Sequence, residues 1–146
     1  MEENMKKSLL FALIISAPSF AGTLILSKIV TSGYIQPEFS FKKECIIFRE
    51  GYAKIIQRIG QNPPASKQIS VRFDKTFFIQ TLNVVAKKGK LRDEGTRCDA
   101  GNMILDGYVR GVKVILDEDK DCESHIINQS RATPQLQRLA TNICGF

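Results

Sequence analysis

Four cysteines, a single histidine and a run of alternating aspartates are the residues here whose types and spacing bear on chemistry. His125 follows Glu123 and Ser124 in the stretch CESHII. Acyl transfer by serine needs an imidazole within hydrogen-bond reach of the hydroxyl and an acid behind the imidazole. Neighbours on an extended strand point to opposite faces, so Ser124 and His125 do not meet. No G-x-S-x-G elbow supplies another serine. His125 is therefore read as an exposed loop residue.

DEDKDCE sets Asp117, Asp119 and Asp121 at the alternate spacing with which a calcium loop begins. The position that such a loop gives to glycine is Cys122, and the position of its closing glutamate is Asn128. The aspartates are thus a weak calcium candidate, and a solvated, charged strand end is the expected reading. Glu44 and Glu50 flank an apolar stretch. Their separation along a strand is roughly 20 Å, beyond the roughly 5–10 Å of a sugar-cleaving carboxylate pair. Asn128-Gln129-Ser130 fits an N-glycan acceptor. The chain has no tryptophan and no phosphate-cradling glycine loop. The sequence assigns no catalytic residue, no cofactor and no metal, and the expected class is not an enzyme.

Cys45, Cys98, Cys122 and Cys144 include no close C-x-x-C pair, so zinc is poorly served. An even number of cysteines in an exported chain implies disulfides. Three pairings are formally open. GNMILDGYV and VKVILDED flank Arg110-Gly111, a tight turn between strands. Folding the chain back about residue 110 sets Cys98 opposite Cys122, within reach of a cross-strand bond. The expected pairing is therefore Cys98–Cys122, leaving Cys45 for Cys144.

Export is read from residues 5–22, MKKSLLFALIISAPSFAG. Lys6 and Lys7 form a positive end, Leu9 to Ile15 an apolar run, and Ser19-Phe20-Ala21 a small-x-small cleavage site. Residues 1–21 are the expected signal peptide. Glu2 and Glu3 offset both lysines, so a true start at Met5 gives a cleaner leader, of bacterial style. The apolar run is shorter than the about 20 residues that span a bilayer, and no transmembrane anchor is expected. The expected location is secreted or periplasmic.

The elements that must position these residues follow from periodicity. Residues 22–146 are enough for a single domain. Alternation predicts strands at 23–34, 44–50, 52–59 and 67–73, and a hairpin at 102–109 and 112–118. Phe78, Leu82 and Val85, widened by Phe77 and Ala86, predict a helix at 75–88, capped by Asp74 and stopped by Gly89. Thr133 as cap, Pro134 at the first position and a stripe of Leu136, Leu139, Ala140 and Ile143 predict a second helix. The expected fold is α+β, with a mainly antiparallel sheet, two helices packed on one face and two disulfide staples.

Net charge is +6, which favours an anionic protein face or envelope polymer as partner. No nucleic-acid motif accompanies it. Lys87, Lys88, Lys90 and Arg92 cluster at the exit of the first helix, where cations complement the helix end and form a candidate partner patch. The order of strands and helices resembles that of small proteinaceous inhibitors of thermolysin-type metalloproteases. That resemblance covers most of the mature chain, includes no shared motif and transfers no residue roles. The expected function is an exported, non-catalytic binding module acting through a protein or envelope surface, with inhibition of a secreted protease as one form. The alternatives are an accessory envelope protein held by its basic surface and a small hydrolase with unassigned carboxylates. Intact mass of the exported protein should correspond to a chain beginning at Gly22; a retained leader contradicts the export reading.

Overall fold

A computed structural model describes residues 22–33, 35–98 and 101–146. The expected leader, residues 1–21, lies outside the described residues. The chain runs β1 (Leu24–Thr31), a one-turn 3-10 helix (Pro37–Phe39), β2 (Phe41–Phe48), β3 (Tyr52–Ile59), β4 (Ala65–Ser70), α1 (Lys75–Lys88), β5 (Leu91–Asp93), β6 (Asn102–Val109), β7 (Val112–Lys120), β8 (Ser124–Asn128) and α2 (Thr133–Cys144). All eight strands form one antiparallel sheet in the order β4-β3-β2-β1-β6-β7-β8-β5. The sheet is larger than the sequence suggested. β5 was missed because LRD sits in a charged run without alternation. β8 was missed because the acidic stretch before it reads as loop.

Two meanders, β1–β4 and β6–β8, meet where β1 pairs with β6, Leu26 opposite Gly107 and Lys28 opposite Leu105. Register places Leu26, Lys28, Cys45, Ile47, Ala53, Leu105 and Asp117 on one face. Both helices pack there. α1 buries Phe78, Leu82 and Val85, and α2 buries Leu136, Ala140 and Cys144, all in one core with these sheet residues. Each such large apolar side chain contributes about 1.5–3 kcal/mol when fully buried. Gly107 is required by the packing: a Cβ there would collide with Leu82 of α1.

The helix ends differ in their chemistry. Asp74 caps α1, its carboxylate accepting from the Phe77 N–H at 3.0 Å. Phe77 itself is 54% exposed, outside the stripe expected to contain it. At α2 the expected cap fails. Thr133 is already inside the helix and Ala132 precedes it without a side-chain cap. The preceding turn is held by Ser130, whose carbonyl accepts from the Thr133 N–H and whose hydroxyl accepts from the Ala132 N–H.

Apolar residues occupy both faces of six adjacent strands. CII, KII, MIL, VIL and HII place two or more in succession, and KIV does so in β1. Ile29, Ile46, Ile56, Ile104 and Ile126 therefore lie on the face away from the helices, half-buried.

Two disulfides close the chain. Cys45 of β2 bonds Cys144 of α2, both buried, and Cys98 bonds Cys122, both exposed. The second bond does not lie across the β6–β7 ladder. That ladder shifts register between Leu105 and Asp106 and its pairing runs only to Met103 and Asp119. Cys98 instead lies in the loop after β5 and Cys122 in the β7–β8 turn, where the Cys122 N–H donates to the Arg97 carbonyl at 2.7 Å. The Cys45–Cys144 link spans 99 residues and the other 24. Loop-closure entropy then predicts that Cys45→Ala/Cys144→Ala costs about 4–5 kcal/mol and Cys98→Ser/Cys122→Ser about 3–4 kcal/mol in urea unfolding. A larger loss from the second pair contradicts that ranking.

Candidate functional site

The residues singled out for chemistry divide between an enclosed polar cluster and an open groove. His125 is buried, not an exposed loop residue: it stands on β8 directly opposite Asp119. Its Nε2 lies 3.1 Å from Asp117 Oδ1, and Gln137 of α2 donates to Asp117 Oδ2 at 2.7 Å. Lys28 reaches into the same layer, donating to Thr141 Oγ1 at 3.1 Å and to the Phe146 carbonyl. Burial pushes the Asp117 carboxyl up, against the pull of His125 and Gln137. Burial pushes the Lys28 amine down, against the attraction of Asp117. These groups are held between α2 and the sheet, and among the described residues no serine or cysteine hydrogen-bonds the His125 ring, whose Nε2 faces Asp117 and whose Nδ1 has no partner.

The acidic strand end is likewise buried rather than solvated. Asp117, Glu118 and Asp119 are all under 10% exposed; β8 flanks all three, and Gln137 of α2 reaches Asp117 on the helix face. Asp117 is occupied by His125 and Gln137, and among the described residues no three acidic, histidine or cysteine side chains are placed to hold a metal. Glu44 pairs with Lys42, while Glu50 accepts from the Thr23 N–H with both carboxylate oxygens. Asn128 is buried and its amide donates to the Ile115 carbonyl, so the glycan acceptor is consumed inside the fold.

The groove forms where β8 stops short. β8 pairs with β7 only as far as Asp117–Ile127, so among the described residues the Val112–Ile115 edge of β7 has no neighbouring strand. The last turn of α1, Leu91 of β5 and the β6–β7 turn enclose about 520 Å³ beside that edge. Val85, Leu91, Val109, Val112 and Val114 supply an apolar lining, and Arg110 and Lys113 stand in its wall. Val112 is 67% and Leu91 53% exposed. Gly89 is required at the base, because a Cβ would strike the Asn128 side chain. A neighbouring hollow of about 460 Å³ is lined by Val84, Lys88, Arg131 and Gln135.

Lys87, Lys88, Lys90 and Arg92 are all exposed around this end of α1 and β5. The fold adds Arg110, Lys113 and Arg131 from distant positions. Sequence reasoning saw Arg110 only as a turn residue. Its positive φ of 51° marks the turn, but nothing local announces that the turn faces the lysines. The free edge adds directional chemistry. The Ile115 carbonyl points to that edge, where Asn128 donates to it, and alternation aims the N–H and C=O of Lys113 the same way. Of the two cations in the groove wall, Lys113 is paired with Asp106 at 3.6 Å, which leaves Arg110 to face a ligand. An apolar floor, backbone groups on an open edge and a cation beside them suit an extended, acidic, partly apolar segment.

Against protein-family models, curated proteins and solved structures, the chain matches none.

The enclosed cluster yields a pH prediction. Because the folded Asp117 pKa lies above the ordinary 3.8, the folded state keeps a proton that the unfolded chain releases just above that value. The contribution of Asp117 to stability therefore falls as pH rises through this window. Asp106 is shifted the same way, again chiefly by burial. Asp117→Asn should lower stability near neutral pH by about 1–3 kcal/mol through mispaired hydrogen bonds, and flatten without abolishing the decline above pH ~4 in urea titrations. An unchanged slope contradicts the assignment.

Proposed function

We propose that the chain is an exported, non-catalytic binding module that captures an extended acidic segment of a partner protein in the groove beside β7. The observation supporting this most directly is the coincidence, among the described residues, of an unpaired strand edge, an apolar floor and the Arg110 side chain at one place, with the exposed Lys87, Lys88, Lys90 and Arg92 on the adjoining end of α1 and β5. Strand addition supplies backbone hydrogen bonds, the floor takes alternate apolar side chains, and the cations select carboxylates between them. The two disulfides and the eight-stranded sheet keep the site pre-formed, which lowers the ordering cost of binding. Inhibition of a secreted protease is one form of such capture. Retention on an anionic envelope polymer is the weaker reading, because a flexible polyanion needs neither the floor nor the edge.

The test uses a short peptide alternating glutamate and valine, with a lysine–valine peptide as control. The acidic peptide should bind in a salt-sensitive manner. Arg110→Glu/Lys90→Glu should weaken it at least tenfold with unchanged melting temperature. Equal affinity for the two peptides, or no loss in the variant, contradicts the proposal.

A further inference from the structure

The residues just ahead of β1 are held by contacts beyond the β1–β2 ladder, which ends at Leu24–Phe48. Glu50, in the β2–β3 turn, accepts from the Thr23 N–H with both carboxylate oxygens, at 3.0 and 2.9 Å. The Arg49 N–H donates to the Thr23 carbonyl at 2.9 Å. Gly22 lies against Phe48 and Tyr52, whose rings stack with centroids 4.5 Å apart. A Cβ at Gly22 would strike both of these side chains, so only glycine fits that seat. A carboxylate has about four acceptor positions, and Glu50 forms no ion pair among the described residues. It has capacity left for a second donor beside Thr23.

We propose that Glu50 is the binding site for the mature chain's own terminal ammonium, on Gly22. The proposal rests on the export reading, in which a leader peptidase hydrolyses the Ala21–Gly22 bond. That step consumes one water and leaves a carboxylate on Ala21 and an ammonium on Gly22. The small-x-small site in the sequence puts the cleaved bond immediately ahead of the glycine that the fold seats. Backbone geometry keeps the Gly22 nitrogen within about 3.7 Å of the Thr23 nitrogen, and so within roughly 6.7 Å of either Glu50 oxygen. Opposite charges at such a range favour each other's ionised forms. The Thr23 N–H holds the Glu50 carboxyl below its usual value, with a smaller contribution from Arg49, so the carboxylate is charged wherever the amine is. Arg49 and Arg110 line the hollow beside Thr23 and oppose the ammonium, and Glu50 is the acid that offsets them. Before cleavage the Gly22 nitrogen is a neutral amide. Removal of the leader therefore creates the ion that fastens the head of β1, the strand on which both meanders meet.

The test takes the exported protein, establishes its first residue by intact mass, and treats it near pH ~7 with a limiting amine-reactive ester, to which only the uncharged amine adds. Acylation at Gly22 should be at least about threefold slower in the wild type than in Glu50→Gln, which keeps an acceptor oxygen but loses the charge. Raising salt to ~0.5 M should narrow that gap by screening the pair. A chain that begins elsewhere, or keeps its leader, overturns the export reading and this proposal with it. A chain that begins at Gly22 yet labels equally fast in both proteins overturns this proposal alone. Should Glu50→Gln not fold, the salt series on the wild type decides the matter, since a Gly22 labelling rate indifferent to salt contradicts an ion pair.

Discussion

The pairing of β1 with β6 holds this molecule together. It is the seam between two meanders that are each too small to enclose a core, and its partners lie more than 70 residues apart in the chain. Loop-closure entropy disfavours such long-range pairing, so it must be supported from outside the ladder. The helices provide that support by crossing the seam in the layer above. α1 sits on β6 and β7, α2 on β1 and β3, and the two touch each other. Leu82 over Gly107 and Lys28 under Thr141 fix the fit on either side. The Cys45–Cys144 bond then ties the end of α2 to β2, so the last element of the chain is fastened to one of the first.

The same arrangement sets both the cost and the use of the polar residues. Lys28, Asp117 and His125 lie beneath α2 because the strands that carry them continue under the helix. Charges so placed must be partnered, and breaking the set leaves an uncompensated buried group. The groove arises from a different consequence of the geometry. Gly89 lets α1 end against Asn128, β5 turns back after three residues, and β8 leaves the β7 edge open beyond it. Arg110 and Lys113 reach the groove because the β6–β7 hairpin ends opposite α1.

Where local pattern and burial agreed, the fold was legible. Asp74, the Phe78–Leu82–Val85 stripe and Gly89 delimit α1 because each satisfies a local requirement of a helix. The β6–β7 hairpin was legible for the same reason, its turn being a two-residue one at Arg110-Gly111. His125 and the aspartates were misread because their burial comes from α2 and β8, elements remote from or weakly signalled by the acidic run. An acidic stretch reads as solvated unless its tertiary cover is known, and Gln137 gives no hint in sequence that it faces Asp117. Half of the candidate site was visible as the run Lys87 to Arg92. The other half, with the free edge that gives it direction, depends on where β8 stops, and strand ends are the least local feature of a sheet.

Amide hydrogen exchange at the β7 edge tests the binding account most directly. Lys113 N–H faces the open edge, whereas Val114 N–H faces β6, so the free protein should exchange Lys113 quickly and Val114 slowly. On adding the partner or the acidic peptide, Lys113 should become protected while Val114 changes little. Protection of Lys113 in the free protein, or binding that leaves its exchange unchanged, would contradict strand capture in this groove.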